Sequence, residues 1–129
     1  MQLGMTTKHT MPTQPNKSPA DIRSELSEDL FSRMDTAPDA CGYTREDIDR
    51  CLLILDSYMA SISSRPAMSE DEIRGIVKQT VLDLSALDNK CGCCLIETVE
   101  REYICDLLLR AAQEAGLKTD EDITEGRDW

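Results

Sequence analysis

Apolar side chains recur every three to four residues over four stretches of the chain, and each of three of them opens on a recognisable helix-start signal. The most regular stretch follows Ser69-Glu70-Asp71-Glu72, the Ser-x-x-Glu pattern in which a hydroxyl and a carboxylate each satisfy the other's backbone N–H. Ile73, Ile76, Val77, Thr80, Val81, Leu84 and Leu87 then share one helix face. Thr44-Arg45-Glu46-Asp47 opens an earlier helix whose inner face holds Ile48, Cys51, Leu52, Leu55, Tyr58 or Met59, and Ile62, close to a heptad seam. Ser63, Ser64, Arg65 and Pro66 end it, because proline disfavours helical geometry in the residue before it. A last helix from Thr98 to Ala115 is expected to turn Val99, Tyr103, Ile104, Leu107, Leu108, Ala111 and Ala115 inward and to stop at Gly116, which adopts left-handed backbone without penalty. The first helix, from Pro19 to about Met34, has a hydroxyl cap at Ser18 and proline in its first turn, but its stripe of Ile22, Leu26, Leu30 and Met34 is one side chain wide.

No segment alternates as a strand would, and connections this short favour antiparallel neighbours. The expected fold is therefore all-α: an antiparallel bundle of three strong helices plus a weaker N-terminal helix, over residues 18–117. Residues 1–17, broken by Pro12 and Pro15 and with no apolar period, read as a disordered leader. Residues 118–129 read as an acidic tail. Leu95 and Ile96 form either a short extended piece or a staple before the last helix. Leu53, Ile54 and Leu109 fall outside the main stripes, where a homodimer would cover them.

Charge changes the picture next. The 129 residues hold 14 Lys+Arg against 25 Asp+Glu, for a net charge of −11. The leader contains Lys8 and Lys17 and no acid, so residues 21–129 carry −13. A field of that sign repels phosphate backbones, and few aromatic residues are present to stack on bases, which argues against nucleic acid as a partner. No apolar run is long enough for a membrane span and no secretory signal opens the chain, so a cytoplasmic location is expected. What an acidic domain does attract is a basic protein, and small acidic helical proteins of this composition include immunity and antitoxin-type inhibitors. The candidate binding residues are Asp120, Glu121, Asp122, Glu125 and Asp128, with Trp129 as an interface anchor. The alternative for Trp129 is that it folds back to cap a small core.

Six cysteines are the chemical oddity. In an up-down-up arrangement Cys41 and the Cys91-Gly92-Cys93-Cys94 loop fall at one end of the bundle, with Cys51 and Cys105 about 10 Å further up. Cys41, Cys91, Cys93 and Cys94 are the candidate ligands for zinc or another soft metal, since four thiolates satisfy a tetrahedral ion. The pattern lacks the two close pairs usual in zinc sites. The competing reading, with no cofactor, makes the cysteines small buried hydrophobes, with redox sensing at an exposed loop thiol as a third use.

Glu25-x-x-Glu28 and Glu46-x-x-Asp49 sit on two successive predicted helices. They resemble the Glu-x-x-Glu and Glu-x-x-Asp pairs with which all-α nucleoside triphosphate pyrophosphohydrolases hold magnesium. The resemblance spans about 25 residues and lacks the family's basic residues. It implies a magnesium-dependent nucleotide hydrolase, while first-turn acids also simply complement helix dipoles. There is no phosphate loop, nucleophile elbow or His-Glu-x-x-His, and His9, the single histidine, lies in the leader. No catalytic residue is selected, and a binding module is favoured over an enzyme.

Overall fold

The computed structural model describes residues 17–36, 42–64, 66–119, 121–124, 127 and 129. Among them are four helices and no strand: α1 (Pro19–Thr36), α2 (Arg45–Ile62), α3 (Glu70–Lys90) and α4 (Thr98–Glu114). Each helix starts where side-chain acceptors replace missing backbone partners. Ser18 Oγ accepts from Asp21 N at 3.1 Å while Asp21 returns a bond to Ser18 N. Thr44 with Asp47, and Ser69 with Glu72, form full capping boxes. Caps of this kind each stabilise a helix by about 1 kcal/mol. At the far end of α4, Gly116 takes φ 117°, Gly116 N donates to Gln113 O, and Leu117 N donates to Ala112 O at 2.9 Å. That is the Schellman closure, and it buries Leu117 against the bundle.

The helices run up, down, up and down as antiparallel neighbours. Lys90 of α3 reaches Asp47 at the start of α2, and Arg33 near the end of α1 reaches Glu100 at the start of α4. α1 packs chiefly on α4 and α2 on α3, with α1 and α2 joining the two pairs. α2 and α4 are thus parallel, tied where Tyr58 Oη donates to Leu108 O at 2.5 Å. The narrow stripe of α1 is enough for full docking: Ile22, Leu26 and Leu30 are completely or almost completely buried. Lys17, placed in the leader by sequence, is bonded to Glu25, and its carbonyl accepts from Arg110 Nη1. Residues 1–16 of that leader lie outside the described residues.

The inner faces of α2 and α3 are as expected, with Ile76 and Met59 half-buried. α4 differs. Val99 is 46% exposed, and Glu100 takes the interior position beside Ile104, Leu107 and Leu108. The inner face is rotated by one residue because Arg33 and Asp29 of α1 meet Glu100 inside the interface. Leu95 and Ile96 fill the space ahead of it, both buried, as a staple rather than a strand.

Candidate functional site

Four places bear chemistry, and the tail is the first. Asp120, Glu125 and Asp128 lie outside the described residues. Glu121 and Asp122 are exposed, and Asp122 accepts from Arg127 Nη1 at 2.9 Å and from Thr124. The Thr124 hydroxyl, with Arg127, holds the Asp122 carboxyl below the usual range. Arg127 stacks over the Trp129 ring at 5.6 Å, and Trp129 is buried in the core cluster. Trp129 therefore caps the bundle and is not an exposed anchor, for the reason that a small core gains most from its largest apolar side chain. The same fold-back sets Ile123 and Arg127 beside Leu109 and Cys105, in a groove of about 400 Å³ along α4.

The cysteines come second. Cys51 is fully buried and Cys91 nearly so, and burial pushes their thiols up to about 12 and about 11. Groups so protonated are inert hydrophobes. Cys94 is half-buried with its Sγ on Gly92 O, and Cys93 is exposed at φ 62° with its thiol donating to Asn89 Oδ1. Cys105 faces the tail instead, against Thr124 Oγ1 at 3.6 Å. The loop is built by Asp88, 1% exposed, whose Oδ1 accepts from both Leu95 N and Ile96 N. Gly42 packs so tightly on it that a Cβ would stand 2.9 Å from Cys91 O. The loop and the start of α2 thus share one end of the bundle, as expected. Among the described residues no group of three or more His, Cys, Asp or Glu is arranged to hold a metal ion, and Cys41 of the candidate zinc set lies outside them.

The third place is a carboxyl pair between α1 and α4, half-buried Asp29 and buried Glu100, that sequence reasoning missed. Burial first, and then a hydrogen bond with Glu100, raise the Asp29 carboxyl to about 7, so below neutral pH Asp29 carries a proton that it shares with Glu100. Glu100 is 2% exposed. Burial works to raise it too, but the Asp29 proton, the Glu97 N–H and Arg33 overcome this and keep it below the ordinary value. Arg33 bonds Glu100 at 2.8 Å and Glu97 at 3.1 Å, and it donates to the carbonyls of Cys94 and Leu95. The only advance signal was Glu100 three residues after the cap position.

The fourth place is a groove of about 850 Å³ between the outer sides of α2 and α3, lined by Glu46, Asp49, Leu53, Ile54, Asp83 and Lys90 among others. Its lining sets Leu53, Ile54, Ala86 and Leu87 among the acids Glu46, Asp47, Asp49 and Asp83 and the cations Arg50 and Lys90. Lys90 is engaged by Asp47, which it and the Thr44 N–H hold below the usual carboxylate range against the effect of burial. Glu46 and Asp49 stand here, whereas Glu25 and Glu28 lie beside Tyr103 of α4. The two acidic pairs that resemble a magnesium site are on different sides of the bundle. No described helix is long and apolar enough to cross a membrane. Compared with known proteins, the chain matches no family model, no curated protein and no solved structure.

Proposed function

We propose that this chain acts by binding a protein, a basic partner that it inhibits in the manner of an immunity protein or antitoxin in the cytoplasm. The observation that carries the reading is where charge remains after internal pairing. Lys17, Arg23, Arg33, Lys90, Arg110 and Arg127 are each engaged by carboxylates of the same chain. Pairing removes one charge of each sign, so residues 17–129, with Lys17 counted, keep their formal net charge of −12. Glu28, Asp35, Glu46, Asp49, Asp83 and Glu102 are exposed and enter no ion pair among the described residues. An acidic surface of this kind speeds encounter with a cationic protein and selects against nucleic acid.

The test is capture on the full chain at low salt from the cells that make it, release by salt, and titration of the purified released protein back onto the chain by calorimetry. A basic protein that rebinds, and loses its own activity in the complex, is the expected result. Retention of no basic protein, or one that fails to rebind once pure, overturns the reading.

A further inference from the structure

The groove between α2 and α3 is where unpaired acid and uncovered apolar surface coincide. Leu53 stands in it 59% exposed, with Ile54 half-buried beside it. Leu82 and Val99, the other large apolar side chains exposed among the described residues, are not among those that line it. Around Leu53, Glu46, Asp49 and Asp83 are opposed by Arg50, since Lys90 is held by Asp47. Past Leu53 the groove continues to Ser61 and Ile76. It follows α2 for about 25 Å, at 1.5 Å per residue the length of four to five helical turns.

We propose that this groove receives a basic amphipathic helix of a partner protein, with its apolar face on Leu53 and Ile54 and its Lys or Arg side chains against Glu46, Asp49 and Asp83. The inference rests on the reading of the chain as a binder of a basic protein and names the surface and the partner's form. Both walls are helices whose backbone groups are bonded internally, so no sheet edge is offered to an extended segment. Apolar side chains set among charged ones along a helix pair suit side chains recurring at i, i+3, i+4 and i+7. A second copy of this chain would bring −11 against −11 and is opposed by its own field.

The full chain is titrated with a Leu/Lys peptide of about 18 residues patterned as an amphipathic helix, and with a scrambled peptide of the same composition. Calorimetry gives affinities and backbone amide shifts give the site. The patterned peptide is expected to bind at least about tenfold tighter than the scrambled one, with shifts at Leu53, Ile54 and Asp83. Leu53→Gln is expected to weaken it about tenfold or more, the worth of one buried leucine. Leu53 is exposed, so that variant keeps the wild-type melting temperature. Shifts on another face, or equal affinities for both peptides and for Leu53→Gln, overturn the groove and leave the basic-partner reading standing. No binding of either peptide also overturns the groove, and the broader reading then falls only if the captured complex fails to re-form as well. A dimer on gel filtration that Leu53→Gln dissociates makes a second copy the occupant and overturns the proposal.

Discussion

Asp88 shows how much a single polar side chain can carry in this bundle. Its Oδ1 accepts two backbone N–H groups, at 3.1 and 2.9 Å, in a position from which water is excluded. Removing the acceptor leaves both donors buried and unbonded, which costs more than the bonds themselves contribute. Asp88→Ala is expected to lower unfolding stability by about 2 kcal/mol or more, with Asp88→Asn, which keeps an oxygen, recovering part of it. Urea denaturation of the three proteins measures this, and equal stability of the alanine variant and wild type would mean that the loop is held by something else. Nothing in the sequence marks Asp88 for this role, because its partners are backbone groups seven and eight residues away and carry no residue signature. The caps at Ser18, Thr44 and Ser69 were legible for the opposite reason: donor and acceptor lie three residues apart in patterns set by helix geometry.

At the scale of elements, apolar periodicity placed all four helices and the inner faces of α2 and α3, since those faces are lined by side chains whose burial is driven by area alone. It failed at α4 by one residue. A carboxylate is counted as outward by any hydropathy pattern, yet Glu100 lies inside because Arg33 and Asp29, on the first helix of the chain, satisfy it there. That interface has a pH signature. Asp29 binds its proton more tightly in the folded chain than in the unfolded one, so its contribution is complete below the unfolded value near 3.8 and is lost as pH rises towards about 7. Glu100, shifted downward, acts with the opposite sign and in the window beneath its ordinary value of 4.5. Glu97 and Arg33 share the cluster, and Arg33 stays charged throughout. Urea midpoints are therefore expected to be higher at pH 5 than at pH 8. Asp29→Asn, which can donate to Glu100 at any pH, is expected to shrink that difference. A difference of undiminished size in Asp29→Asn would place the effect in other groups.

For the molecule as a whole, the sequence told the sign of the surface but not its layout. The acidic tail drew attention because its charges are adjacent in the chain, whereas the groove's acids, Glu46, Asp49 and Asp83, belong to two helices and meet through packing. Trp129 was ambiguous in sequence because a terminal aromatic serves equally as anchor or cap, and only the fold-back against Arg127 decides it. The central claim is that charge and shape on the α2/α3 face recognise a basic helix. Its most direct measurement is the affinity of the patterned Leu/Lys peptide over a range of salt concentrations, for the wild type and for the combined variant Glu46→Gln, Asp49→Asn, Asp83→Asn. All three carboxylates are exposed, so the fold should persist. Wild-type affinity is expected to fall steeply with salt, and the variant to bind about tenfold or more weakly at low salt with a flatter dependence. Superimposable salt curves for the two proteins would contradict the account.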